Sequence, residues 1–332
     1  MKEKEAMARA IELGAAARRV APPNPWVGCV VLDGDGKRLG EGASAAPGGP
    51  HAEVTALAEA GERAAGGTLV VTLEPCSHHG RTPPCVEAIV RAEIRRVVVA
   101  IDDPDQRVRG TGLAALRDAG IDVEVGLLEN EAVEQLRAYL HHRHTGRPFV
   151  VLKLAATIDG RIAAPDGSSR WITGTEARAD VHRLRAASDA VVVGAGTVRS
   201  DDPELTVREV DGRDPLRVVL GHAESSARVQ PAVELKGEPD EILNELESRG
   251  VLQVLLEGGA DVAARFHRAG LVDRYVLYFA PALMGGEDGV PIFRGEGVGS
   301  LNEAWRGRFV SVTRLGDDLK VELEPLPSRG SE

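Results

Sequence analysis

Aromatic side chains are scarce: Phe, Tyr and Trp together make up 3% of the 332 residues. A core with so few of them has to be filled by Val, Leu, Ile and Ala, which suits helices layered on sheets. Cysteine occurs only as Cys29, Cys76 and Cys85. So small and odd a set forms no disulfide framework and belongs in a reducing compartment, which leaves metal ligation or plain burial as roles. No run approaches the roughly eighteen apolar residues of a membrane span, and the opening MKEKEAMARA mixes charges in a way signal peptides do not. A cytoplasmic protein with no membrane partner is expected. Positive charge is lacking too, with Lys plus Arg at 40 against 51 for Asp plus Glu and a net charge of −11. Partners gripped by their phosphate backbone need surplus cations, so nucleic acid is disfavoured.

What is present is alternation. At about 150 residues per domain the length allows two domains. Helical spacing of Met7, Ile11 and Gly14 predicts a helix over 4–18, ended by the proline-rich turn Pro22-Pro23-Asn24-Pro25. Strands are expected at 27–32, 68–73, 96–101 and 122–126, with a Gly-rich loop after the first and helices at 53–60, around Val86 to Val90, at 113–119 and through Tyr139. Thr145-Gly146-Arg147-Pro148 combines a glycine stop with a following proline, and places a domain boundary there. A second series has strands at 149–155, 190–193, 216–220 and 252–256 with a helix at 176–186, then three strands at 274–279, 308–315 and 319–323. The last two are joined by Gly316-Asp317-Asp318 as a hairpin. The expectation is α/β, with mostly parallel sheets covered on both faces, domains at 1–146 and 147–326, and a disordered tail at 327–332.

The strongest chemical signal is His51-Ala52-Glu53, followed by Pro75-Cys76 and Pro84-Cys85. One imidazole and two thiolates leave the fourth position of a tetrahedral zinc open to water, whose pKa falls to about 7 when bound. His51 and Glu53 approach one metal only in the first turn of a helix, which Pro50 favours, and Cys85 likewise opens a helix whose dipole favours a thiolate. The pattern matches the H-x-E…P-C…C signature of zinc nucleobase deaminases, in which the glutamate moves protons and does not bind metal. Buried core thiols and a loop histidine are the plain alternative, and for Cys29, inside Gly28-Cys29-Val30-Val31, the core reading is preferred. His141, His142 and His144 read as a solvated helix end.

Eight residues separate Cys76 from Cys85 where two are usual. That spacing, in Pro75-Cys76-Ser77-His78-His79-Gly80-Arg81-Thr82-Pro83-Pro84-Cys85 and preceded by Asn24-Pro25-Trp26-Val27-Gly28, closely resembles the deaminase half of the bifunctional riboflavin-biosynthesis deaminase/reductases. The resemblance implies a three-layer α/β/α, cytidine-deaminase-like domain in which Asn24 helps hold the pyrimidine and Arg81 meets the substrate phosphate.

The second half carries Lys153-Leu154-Ala155-Ala156-Thr157-Ile158-Asp159-Gly160-Arg161, then Ser169-Arg170-Trp171-Ile172, Gly194-Ala195-Gly196-Thr197, Asp201-Asp202-Pro203 and Glu257-Gly258-Gly259. A glycine pair between strand and helix lets backbone N–H groups approach a phosphate, although each pair alone also fits a simple strand exit. In this order the segments resemble the reductase half of the same family. The resemblance implies a dihydrofolate-reductase-like fold, NADPH near Lys153, Ala155, Trp171, Thr197, Asp201, Gly258 and Gly259, and a ribose phosphate near Ser169, Arg185, Leu205, Arg208 and Glu257. It also implies a homo-oligomer assembled through the reductase domain. The chain departs from the family at Gly221-His222, where Asp-Ser is usual and a contact to the cofactor's adenosine end is made.

The expected reaction is deamination of a 2,5-diamino-6-ribosylamino-pyrimidinone 5′-phosphate at zinc held by His51, Cys76 and Cys85, with Glu53 moving the proton, followed by NADPH-dependent reduction of the ribosyl group to ribityl. A reductase with a structural zinc domain, and a nucleoside or RNA deaminase with an accessory domain, are the alternatives.

Overall fold

The computed structural model describes residues 1–326, so the tail expected at 327–332 lies outside the described residues. The chain divides into two compact units, Met1–Gly146 and Arg147–Glu332.

The first unit runs α1 (Glu3–Ala17), β1 (Gly28–Leu32), β2 (Arg38–Ala43), α2 (Ala52–Ala60), β3 (Thr68–Leu73), α3 (Cys85–Arg91), β4 (Arg96–Ile101), α4 (Thr111–Asp118), β5 (Asp122–Val125) and α5 (Glu129–Thr145). Its sheet has the order β2-β1-β3-β4-β5, with β1 antiparallel to both neighbours and β3, β4 and β5 parallel. The sheet is therefore mixed where a mostly parallel one was expected, and β2 occupies part of the expected Gly-rich loop. The cause is local: the Asp33 carboxylate accepts from the backbone of Asp35 and Lys37, closing a turn too short for anything but an antiparallel return.

Glycine on β2 serves packing. A Cβ at Gly42 would lie 2.3 Å from the Ala52 carbonyl, and one at Gly40 would lie 2.3 Å from that of Ala56, so α2 rests directly on the strand's backbone. On the opposite face of the sheet, Gly28 admits α1 against β1 in the same way. Cys29 pairs with Gly42 across β1 and β2 and is fully buried, as its core reading requires.

The second unit runs β6 (Phe149–Thr157), β7 (Arg161–Ala163), α6 (Thr175–Ala186), β8 (Ala190–Gly194), α7 (Ala195–Asp201), β9 (Leu216–Leu220), β10 (Val233–Leu235), α8 (Pro239–Ser248), β11 (Gln253–Leu256), α9 (Ala260–Arg268), β12 (Arg274–Ala280), β13 (Val290–Pro291), β14 (Gly307–Leu315) and β15 (Asp318–Pro325). Its main sheet, β10-β9-β8-β11-β6-β12-β15-β14, is parallel through β12 and antiparallel in the last two strands, as expected. β7 and β13 form a separate small pair. Along β6 the side chains alternate: Leu152 and Leu154 join a core with Ile242, Leu246 and Phe266 of α8 and α9, while Lys153 and Ala155 turn to the other face. Period-2 burial thus delivers Lys153 to the polar side of an otherwise apolar strand. Among the described residues no helix is long and apolar enough to cross a membrane.

Candidate functional site

His51 is the N-cap of α2, Glu53 lies in that helix's first turn, and Cys85 is the first residue of α3. Cys76 sits in the loop that leaves β3, and its carbonyl accepts from the Val86 amide at 3.2 Å, tying that loop to α3. These local geometries bring His51 Nδ1 to 3.1 Å from Cys85 Sγ and 3.6 Å from Cys76 Sγ. The three donor atoms lie within 4.8 Å of one another, and theirs is the only such group among the described residues. A tetrahedral zinc with ordinary bond lengths separates nitrogen from sulfur by about 3.5 Å, so the donors fit that ion in both kind and spacing. On the far side of the ring, His51 Nε2 meets the Thr82 hydroxyl at 3.2 Å, which orients the imidazole with Nδ1 toward the sulfurs.

The electrostatics match. A hydrogen bond from the Cys85 thiol, helped by His51, pulls Cys76 down to about 4 against its burial, while the same bond and burial hold Cys85 above the ordinary thiol range. A divalent cation bound there would favour both sulfurs as thiolates. Glu53 is 4% exposed, and burial, then the negative charge at Cys76, push its carboxyl up. A carboxyl raised this way is suited to taking and returning a proton.

His51, Glu53 and Cys76 open onto a cavity of about 470 Å³ that Asn24 and Arg81 also line, so both substrate candidates from the sequence are at the site. Three further residues there stand outside the sequence motifs. Glu74 accepts from the amides of Asp103, Gly110, Gly112 and Leu113 at 2.9–3.2 Å and anchors the loop ahead of Cys76. Asp103 and Tyr139 form a buried pair on the wall. The one local signal for Glu74 was a carboxylate ending the apolar run Thr68–Leu73; the pairing of Asp103 with Tyr139 had none.

In the second unit, Arg185 of α6 forms a two-nitrogen bond to Glu257 at 2.6 and 2.9 Å, and Lys153 Nζ lies 3.9 Å from the same carboxylate. Burial lowers Lys153 below the usual amine range; burial works to raise Glu257, but Arg185 and then Lys153 outweigh it and leave the carboxylate lowered. Arg185 also donates to the Thr206 carbonyl at 3.1 Å, so its fork is engaged within the protein. Leu205 is 2% exposed and has a left-handed backbone. Arg208 pairs with Glu204 and with the Thr206 hydroxyl, and Arg170 donates to the Asp201 carbonyl. Trp171 is 71% exposed, with Arg178 over its ring at 4.7 Å. Ser169 is half-buried.

β8 and β11 are parallel neighbours, and each leads through a glycine cap, Gly194 or Gly259, into a helix. The Gly259 amide donates to Thr197 Oγ1 at 3.1 Å, which sets the two openings side by side at the carboxyl ends of the strands. Open α/β sheets take nucleotides at such ends, and paired glycine openings fit the phosphates of a dinucleotide. Gly258 has a packing reason as well, because a Cβ there would meet that of Val262 at 2.6 Å. At the divergent Gly221-His222, His222 Nδ1 faces Glu234 at 3.0 Å.

Residues 148–321 match the family described as the RibD C-terminal domain, and residues 1–101 match the cytidine and deoxycytidylate deaminase zinc-binding region. The riboflavin biosynthesis protein RibD of Mycobacterium tuberculosis strain H37Rv is 44% identical over 331 residues, covering 96% of each chain. That of Escherichia coli K12 is 37% identical, covering 97% of this chain and 99% of its own. Among solved structures, Acinetobacter baumannii RibD superposes with a TM-score of 0.90 at 37% identity, covering 98% of this chain and 99% of its own. A Thermotoga maritima diaminohydroxyphosphoribosylaminopyrimidine deaminase/5-amino-6-(5-phosphoribosylamino)uracil reductase gives 0.89 at 35% identity with the same coverage.

The orienting bond to His51 makes a prediction. Thr82→Val should weaken zinc affinity by roughly tenfold, as loss of a ligand-orienting partner typically does, in competition titrations with a chromophoric chelator. Unchanged affinity would show that the ring is oriented by something else.

Proposed function

The chain belongs to the RibD family of bifunctional deaminase/reductases of riboflavin biosynthesis, and from that premise we propose how its own residues divide the two reactions. The observation that carries the reading is the His51, Cys76 and Cys85 donor set with Glu53 buried beside it.

In the first unit those three donors would hold zinc. The ion supplies Lewis-acid charge that makes water a nucleophile near neutral pH. Asn24 and Arg81 orient the 2,5-diamino-6-ribosylamino-pyrimidinone 5′-phosphate, Arg81 at its phosphate. Glu53 takes the proton from the attacking water and returns it to the departing nitrogen, so that C2–NH2 plus water becomes a C2 carbonyl and ammonia. Its raised affinity for a proton suits both halves of that transfer.

In the second unit a bound NADPH would supply the hydride for reduction at C1′ of the ribosyl group, and the protein's part is placement. Thr197, Asp201, Gly258 and Gly259, with Ala155 and Trp171, would hold the cofactor. Lys153 and Glu257, fixed by Arg185, face the reacting ribosyl, while Ser169, Leu205 and Arg208 receive its phosphate end. Work in the cytoplasm, where NADPH is available, fits the set of free cysteines. β14 ends the main sheet with Phe309 71% and Val312 59% exposed, which favours a homo-oligomer joined through this domain. Light scattering should then give a multiple of the chain mass, and a monomer at micromolar concentration would refute that part.

The division of labour is tested by product masses. Purified protein given the diaminopyrimidine ribotide should release ammonia without NADPH and form the ribityl product only with it. Glu53→Gln should slow ammonia release by at least about a hundredfold, the usual share of a general acid–base group, while reduction of the deaminated pyrimidine continues. Normal ammonia release by Glu53→Gln would remove Glu53 from the mechanism.

A further inference from the structure

Four carboxylates line the first unit's cavity: Glu53, Glu74, Asp103 and Asp105. Glu53 is assigned to proton transfer. Glu74 is saturated by its four backbone amides. Asp105 is bound through two nitrogens of Arg107 at 3.0 and 2.7 Å, with Arg143 at 3.5 Å, and its carboxyl is pulled down to about 2. Asp103 differs. It is 5% exposed, carries no ion pair among the described residues, and accepts the Asp105 amide at 2.9 Å and the Tyr139 phenol at 3.1 and 3.2 Å through its two oxygens. A carboxylate offers about four acceptor positions, so capacity remains for a ligand in the cavity.

We propose that Tyr139 is a positioning residue for deamination: its phenol holds Asp103 in place as a charged acceptor for the N–H-rich edge of the pyrimidine. The inference rests on the deaminase reading above. The substrate ring carries two exocyclic amines, a glycosylamine N–H and a ring N–H. A buried anionic acceptor suits such an edge, because unpaired donors in a desolvated cavity are costly. Tyr139 is 2% exposed on α5, so its ring is fixed by packing and its hydroxyl has little freedom to turn elsewhere.

The groups facing Asp103 set the sign of its pH response. Tyr139 and Arg143 approach from α5, Glu74 from the end of β3, and Asp105 and Arg107 from its own loop. Burial pushes the Asp103 carboxyl up to about 6; the Asp105 amide and Tyr139 oppose that rise, and the charges of Asp105 and Glu74 add to it. Removing the phenolic hydrogen bond must therefore raise it further. The acid limb of kcat/KM, which requires the carboxylate, then moves to higher pH.

The test uses the zinc-loaded full chain and three variants, Tyr139→Phe, Asp103→Asn and the pair combined. Tyr139→Phe keeps the ring and removes only the hydroxyl. It should raise the KM for ammonia release roughly tenfold with kcat within about twofold, and move the acid limb upward, because a hydrogen bond to a charged group is lost. Asp103→Asn should raise KM and leave an acid limb that the loss of the Tyr139 hydroxyl no longer moves, and the combined variant should be no worse than Asp103→Asn alone, since the phenol acts through the carboxylate. Zinc content and NADPH-dependent reduction should match wild type in all three. A wild-type KM and an unmoved limb in Tyr139→Phe, or losses that add in the combined variant, would overturn the proposal. Absence of ammonia release from wild type would instead sink the deaminase reading and this inference with it.

Discussion

One nitrogen and two sulfurs from three separate segments have to meet within 4.8 Å, and the first unit is organised around that meeting. Two of the donors stand at helix starts, where the dipole favours a thiolate and the backbone can aim a side chain out of the helix. α2 reaches its place because Gly40 and Gly42 leave no side chain between it and β2. Cys76 reaches its place because Glu74, two residues earlier, satisfies four amides from the segment around α4. Buried polar groups of this kind are tolerated only when paired, so the loop carrying Cys76 has one low-energy position.

The second unit meets a similar demand with charge. Lys153 of β6 and Arg185 of α6 are brought beside Glu257, and the two cations outweigh burial to lower that carboxyl. The net charge of −11 is thus compatible with anionic ligands where cations are local, as Arg81 is at the first unit's cavity. In both sites a neighbour fixes a key side chain's orientation, Thr82 for His51 and Arg185 for Glu257.

Much of this was legible in the chain. His51, Glu53, Cys76 and Cys85 were readable because metal chemistry demands particular donors at particular helix positions, and the strands 28–32, 68–73 and 96–101 because buried runs of Val and Leu leave little alternative. β2 was not legible: Arg38–Ala43 contains two glycines and no β-branched residue, and it pairs only because a tight turn returns it to β1. α8 carried the signals of a capping box at Glu238 and Glu241 and buried Ile242, Leu243 and Leu246, but they went unread. The Asp103–Tyr139 pair spans 36 positions and depends on where α5 packs, which local pattern does not encode. The resemblance implies a ribose phosphate near Arg185; that its fork also engages Glu257 and Thr206 is a contact made only by the tertiary fold.

The central claim is that one chain holds two separate chemistries, one dependent on the metal at His51, Cys76 and Cys85 and the other independent of it. Stripping zinc with a chelator and assaying each half-reaction on its own substrate tests it most directly. The account predicts that ammonia release disappears and returns on adding zinc, while NADPH oxidation with the deaminated pyrimidine proceeds unchanged throughout. Ammonia release that survives in metal-free protein, or reduction lost together with the zinc, would contradict it.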